Sequence, residues 1–437
     1  MSSNTTYGTG ALNSNTSGSE NSAFGNSALL SNTDGSYNTS VGAFASAFNE
    51  SGQSNVAVGT NALLRNTSSY NTAIGTAAMC FNTSGSENTA VGSNSLENNV
   101  TGNYNCAFGA RSLFNNTDGV NNTAVGSYTL QTNSSGSTNS AFGYEALFSN
   151  TTGYNNCAFG AHSLFNNTDG VNNTAVGTDT LQTNSSGSSN CAFGYEALNS
   201  NTTGSFNIAV GYAAMISNTD GSYNVAIGSE ALSQNTTGIY NVAVGNQALT
   251  NNTTGGNNTA VGSFALGNTT TSSSNSAFGY DAASSLTTGT NVTCIGYNAQ
   301  PSSPTASNEI TLGNSSVSTL RCQVTTITSL SDKRDKKDIT SLEPNSGIQF
   351  IENLNPVNFV WNMRDGGKVG QKSQGFIAQE LKEAQKVSGF EVPGLVYESN
   401  PECLEAAYGN LIPVMVQAIK DLNAKIEKLE KLLEKNV

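Results

Sequence analysis

The stretch Asn122-Thr123-Ala124-Val125-Gly126-Ser127-Tyr128-Thr129-Leu130-Gln131-Thr132-Asn133-Ser134-Ser135-Gly136-Ser137-Thr138 is one unit of a pattern that fills the first 300 of 437 residues. Glycines preceded by a small-then-bulky pair stand at Gly8, Gly25, Gly42, Gly59, Gly75 and onward to Gly296. Of the 17 intervals between them, 16 are 17 residues long and one, Gly59 to Gly75, is 16. Disordered low-complexity sequence keeps no such count, so the period itself specifies a repeat architecture.

Each unit carries a pair such as Ala124-Val125 or Ala209-Val210 before the glycine and a second apolar pair three and four residues after it, such as Ala62-Leu63. Two short strands per unit are expected, separated by a turn on the repeated glycine and a turn on Asn-Thr-Asp-Gly or Asn-Thr-Thr-Gly, residues that tolerate left-handed backbone angles. Seventeen residues are too few for a helical hairpin and suit one coil of a β-solenoid. Asparagine stands four before the glycine in 17 of 18 units, failing at Val292, and seven after it in 15 of 17. Coils stacked about 4.8 Å apart would place identical amides directly above one another, where they hydrogen-bond in ladders. Eighteen coils then make a rod of roughly 85 Å.

A thin coil with mostly Ala, Val and Leu inside buries little, and side-by-side association of several chains would help. Cys106, Cys157 and Cys191 share the slot three before the glycine, are two or three coils apart, and read as small buried hydrophobes beyond disulfide reach. Cys106 to Gly153 is repeated almost unchanged as Cys157 to Gly204, a shift of three coils, so the array has grown by copying. Asp34, Asp118, Asp169 and Asp220 sit in one turn slot, which favours turn chemistry over paired catalytic carboxylates.

Charge divides the chain. Positions 1–330 hold 17 charged residues and the last 107 hold 30, with the change at Ser331. A net charge of −13 leaves no basic stripe for phosphates, so nucleic acid is not an expected partner. No apolar run is long enough to span a bilayer, and Met1 to Gly8 lacks signal-peptide features, so synthesis in the cytosol without membrane insertion is expected. The one histidine, His162, occupies the site of Arg111 in the earlier copy and reads as a surface residue. Histidine-based triads, shuttles and zinc sites would all need it; no metal and no cofactor are expected.

The spacing Asn-x-Ala-Val-Gly-x-x-Ala over residues 1 to about 300 resembles the left-handed parallel β-roll in head domains of trimeric bacterial autotransporter adhesins, and repeats in phage and large-virus fibre proteins. The unit is longer than the usual adhesin unit and the adhesin's membrane barrel is absent. The resemblance implies a mainly-β trimeric rod.

Residues 301–330 form a β-rich neck in this reading, with Thr/Val/Ile alternation but no 17-residue beat. Beyond it, Ser331-Asp332-x-Arg334-x-Lys336, Leu354-Asn355-Pro356-Val357-Asn358-Phe359-Val360-Trp361, Gly375-Phe376-Ile377-Ala378-Gln379-Glu380 and Tyr408 resemble the endosialidase-type intramolecular chaperone, an auto-processing domain of phage tail spikes and fibres. The resemblance spans 331–437 and implies cleavage of the Leu330–Ser331 bond by a Ser/Lys pair. Ser331 is then the nucleophile and Lys336 the general base of a single-turnover serine auto-endopeptidase, with Asp332 and Arg334 as supporting motif residues. A serine hydroxyl needs a base, and a lysine crowded by Lys333, Arg334 and Lys337 can supply one where no histidine is at hand. The sequence points to no oxyanion donor.

Elsewhere in the segment Val357, Phe359 and Trp361 alternate as on a strand face, Asp365-Gly366-Gly367 offers a turn, and 379–387 reads as a helix, giving a small α/β domain. Within 410–437, Ile412, Met415, Ile419, Leu422, Ile426, Leu429 and Leu433 keep 3,4 spacing and read as the seam of a coiled coil. Ile at a with Leu at d leans toward two strands, whereas both resemblances imply three. The whole reading is a homotrimeric virion tail fibre, made in the host cytoplasm and displayed on the virion surface. It would contact a host-surface receptor or glycan, with a C-terminal domain that trimerises first and then cuts itself away. The repeat already runs at Gly8, so attachment through a separate virion protein, or a longer chain, is expected. A cell-surface adhesin with a permanent, uncleaved trimerisation domain is the alternative.

Overall fold

In the computed structural model the described residues are 3–317, 319–321, 331–344, 346–362, 369–398 and 404–435. The chain divides into two compact units, Met1–Thr311 and Leu312–Val437.

The first unit is a parallel β-solenoid with 17-residue turns. Each coil contributes one short strand, such as Cys106–Phe108, Thr123–Val125 or Ser140–Phe142. Each strand pairs in parallel with the strand of the next coil, Ala107 opposite Ala124 and Ala124 opposite Ala141. The alternating pleat turns that alanine inward, where it is fully buried, and leaves its two neighbours on the outer face. Only alanine-sized groups fit against the stacked Leu96, Leu113, Leu130 and Leu147 behind them.

The expected second strand is absent. The residues two and four after the glycine adopt left-handed angles, φ 60° at Tyr128 and 52° at Leu130, which an extended strand cannot contain. The segment still bonds to both neighbouring coils: Tyr128 N donates to Ala110 O below and Leu130 N to Ala146 O above. These inter-coil bonds hold non-glycine residues in a conformation their sequence does not favour. The turn glycine also differs from expectation. Gly136 is not left-handed; a Cβ there would lie 2.4 Å from Asn133 Oδ1 and 2.5 Å from Gly153 O, so close approach is what requires glycine.

The two asparagine columns are ladders, and they converge. Asn122 Nδ2 and Asn133 Nδ2 both donate to Gly136 O at 2.8 Å. Each amide oxygen accepts from the following coil, Asn139 N to Asn122 Oδ1 at 3.0 Å and Asn150 Nδ2 to Asn133 Oδ1 at 2.7 Å. The single 16-residue unit loses this glycine, and Ser68 O takes over, accepting from Asn55 Nδ2 at 2.8 Å and Asn66 Nδ2 at 2.7 Å. The second ladder ends at Asn252, whose Oδ1 is buried without a partner, because Thr269 stands where the next asparagine would donate.

Cys106, Cys157 and Cys191 are not core residues. They are half-buried on the outward side of their strands, a consequence of standing one residue before the inward alanine. Cys80 and Cys294 are buried, and burial pushes the Cys294 thiol up to about 11. Cys322 and Cys403 lie outside the described residues. His162 is half-exposed between carboxylates of adjacent coils, 3.1 Å from Asp179 and 3.5 Å from Glu145.

The second unit contains helices α1 (Ser346–Glu352), α2 (Ala378–Ser388) and α3 (Ile412–Glu434). Two short antiparallel pairs accompany them, Val357–Val360 with Lys372–Gly375 and Val396–Tyr397 with Glu405–Ala406. Phe350, Leu381, Leu395, Leu411 and Val414 form its core. Gly347 lets α1 approach α3 closely, since a Cβ there would lie 2.8 Å from Val414 O. The expected helix over 379–387 is α2; the expected turn at 365–367 and the end of the neck, 322–330, lie outside the described residues, and the earlier part of the neck holds one strand, Glu309–Leu312.

Candidate processing site

Ser331 to Lys336 is a tight local device. Asp332 caps a 3-10 turn, Lys333–Asp335, its Oδ1 accepting from Arg334 N at 2.8 Å. The same carboxylate takes the Arg334 side chain, with Nε at 3.0 Å and the terminal nitrogen at 2.5 Å. The Arg334 guanidinium holds the Asp332 carboxyl below its ordinary value, and the carboxylate raises Arg334 in turn. Lys336 N closes the turn on Lys333 O at 3.2 Å. The chain therefore doubles back, and Lys336 Nζ donates to Ser331 Oγ at 2.7 Å. Both side chains are solvent-exposed, and Leu330 lies outside the described residues.

The other motif stretches meet within the same unit. Asn355 Nδ2 donates to Glu380 Oε2 at 3.1 Å, joining two segments 25 residues apart. Tyr408 is the contact that spacing alone did not reveal: its hydroxyl donates to Phe376 O at 2.8 Å and accepts from Phe376 N at 3.2 Å, while its ring packs edge-on against Phe376. It ties the entrance of α2 to the entrance of α3. Tyr408→Phe keeps the ring and removes both bonds. It is expected to cost about 1–2 kcal/mol in this unit, read as faster hydrogen exchange at the Phe376 amide with the solenoid unchanged.

The 3,4-spaced residues of α3 are brought together on one side and left uncovered. Val414 and Ala418 are buried, whereas Ile412, Met415, Ile419, Leu422, Ile426, Leu429 and Leu433 are all exposed, from 42% at Met415 to 67% at Leu433. Among the described residues no group of three or more His, Cys, Asp or Glu side chains is arranged to hold a metal, and no helix is long and apolar enough to cross a membrane.

Residues 331–394 match the family model described as the chaperone of endosialidase, a peptidase family. No curated protein and no solved structure matches the chain. The match begins at Ser331, the residue whose hydroxyl meets Lys336. The chain is thus a parallel β-solenoid followed by a segment similar to the chaperone of endosialidase.

Proposed function

We propose that this chain is the precursor of a homotrimeric virion fibre for attachment to a host surface, and that its C-terminal segment directs trimer assembly and then releases itself by cutting the Leu330–Ser331 bond. The observation that carries the reading is the Lys336–Ser331 contact at the first residue of the chaperone-like segment.

The chemistry follows from the groups present. Ser331 Oγ attacks the carbonyl carbon of Leu330 while Lys336 takes the hydroxyl proton, reversing the direction of the hydrogen bond in the resting contact. The C–N bond breaks as the proton passes to the departing amine of Ser331, leaving Leu330 esterified to the Ser331 oxygen. Water hydrolyses the ester to a Leu330 carboxylate and a free Ser331 hydroxyl. Each chain reacts once.

Assembly before cleavage solves a register problem. Near-identical coils allow slipped pairings of similar energy, and the copied segment makes a slip of three coils especially close in energy. The exposed α3 stripe, joining three copies first, fixes the register, and release afterwards leaves a kinetically trapped rod. Three copies follow from the adhesin-head and chaperone resemblances. The left-handed sense of the coil, display on a virion, and the receptor or glycan bound belong to the same proposal.

The test is intact mass and a denaturing gel of freshly expressed wild type beside Ser331→Ala and Lys336→Ala. Wild type is expected to yield a 107-residue fragment beginning at Ser331, and both variants to stay full length. If all three stay full length and cross-linking still shows trimers, self-cleavage is excluded and the permanently trimerised adhesin is the better reading.

A further inference from the structure

The outer face of the solenoid strands carries a second regularity besides the period. Its two outward positions are the residues on either side of the inward one, and the second is Phe, Val or Ile in 17 of 18 coils and Tyr7 in the first. No charged residue occupies either position in any coil. The second of the two is exposed in 13 coils, to 41%, 41% and 44% at Phe108, Phe159 and Ile295, and half-buried in the other five. A continuous apolar strip of this length is not what a solitary solenoid surface carries.

The two positions also compensate each other in size. Six strands end in Phe: Ser22–Phe24, Cys106–Phe108, Ser140–Phe142, Cys157–Phe159, Cys191–Phe193 and Ser276–Phe278. Every one begins with Ser or Cys. Eleven end in Val or Ile, and every one has a β-branched residue in the first position, as in Thr72–Ile74, Ile208–Val210 and, in the last coil, Thr293 before Ile295. Only Thr5–Tyr7 departs. Within one chain the two side chains stand about 6.6 Å apart and point outward, where nothing limits their combined size. A face open to water has no reason to hold its volume constant from coil to coil. A face packed at fixed distance against a straight, periodic surface does, because overfilled and underfilled levels both cost stability.

We infer that this face is buried between copies of this chain, like coil against like coil, and that each first-and-last pair is a packing unit that keeps the copies at constant spacing. A second copy is the occupant because the strip demands a partner that is apolar, uncharged and repeated at the coil rise along 18 coils, which this chain supplies. The inference rests on the association proposed above and adds the surface and register by which it occurs.

The test uses full-length protein with three substitutions at one coil. Cys157→Thr gives an overfilled Thr/Phe level and Phe159→Val an underfilled Cys/Val level, while the double substitution gives Thr/Val, the pair already present at Thr174–Val176. Each single change alone is a residue that other coils carry in that slot, so the isolated coil tolerates it. Both singles are expected to lower the melting midpoint of the assembled protein by roughly 3 °C or more, and the double to return it to within about 1 °C of wild type. Neutral singles, or a double no better than the worse single, overturn the assignment of this face.

Register is read separately. With the six other cysteines replaced, buried Cys80 and Cys294 by Ala and the rest by Ser, a thiol cross-linker is expected to join Cys157 of one copy to Cys157 of another. In mixed assemblies of Cys106-only and Cys157-only chains it is expected to give no Cys106–Cys157 product; that product would mean a three-coil slip and overturn the in-register claim. A wild type that sediments as a monomer overturns the association and this inference together, whereas a trimer indifferent to the swaps overturns the face alone.

Discussion

Asn139→Asp is expected to destabilise the solenoid by about 3–5 kcal/mol at pH 7 despite changing only one atom and one charge. Asn139 is fully buried. Its Nδ2 donates to Gly153 O at 2.9 Å and to Asn122 Oδ1 at 3.1 Å, and its Oδ1 accepts from Asn156 N at 3.0 Å. The aspartate keeps the acceptor role and turns the donor into a second oxygen facing two acceptors. Burial and those neighbours disfavour the charged form, so the new carboxyl has a folded pKa above its unfolded value of about 3.9. The sign follows: the deficit is full above the folded pKa and shrinks as pH falls toward the unfolded one, below which both states are protonated and the acid O–H again donates. Denaturation midpoints of variant and wild type at pH 7 and pH 4 check this. An equal deficit at both values would mean that shape, not the amide ladder, is what the position supplies. Because each coil contacts only its neighbours, hydrogen exchange should show the loss centred on the coils of Gly126 to Gly160.

That residue illustrates what could be read from sequence and what could not. A slot filled by asparagine 17 times in 18 announces a ladder, because stacking superimposes whatever the period repeats. The convergence of both ladders on one carbonyl, Gly136 O, was not legible: the interval between Asn122 and Asn133 says nothing about which backbone group lies between them. The missing second strand has a similar cause. Ala146-Leu147 repeats the small-then-bulky form of the strand pairs, and leucine is no natural occupant of the left-handed region, yet Leu147 sits at φ 52° because its N–H must reach Ser163 O in the next coil. Here tertiary hydrogen bonding overrides local preference. In the second unit, Ser331 and Lys336 were legible as residue types at a spacing of five, but the Asp332 cap that folds one onto the other appears only with the turn. Tyr408 and Phe376 are 32 residues apart, and no local pattern links them.

Charging the α3 stripe is expected to have the largest effect on assembly. Ile419 and Ile426 are 66% and 52% exposed, seven residues apart and therefore on the same side of the helix. The buried side is a different one: Val414 and Ala418 pack on α1, where Gly347 permits the close approach. A double change, Ile419→Asp with Ile426→Asp, thus touches no contact that holds the unit together. In a three-stranded seam each substituted level would bring three carboxylates together in a dry core, and neither solvation nor pairing would offset them. Sedimentation is expected to show monomer where wild type shows trimer, with the helical circular dichroism of α3 reduced only toward what an unpartnered helix retains. Lys420→Asp alone, which changes the net charge by the same two units but at an exposed position off the stripe, should leave the trimer intact. If the stripe variant still forms trimers, the solenoid face alone suffices for association, and register must then be set by the paired volumes of its coils and not by the helix.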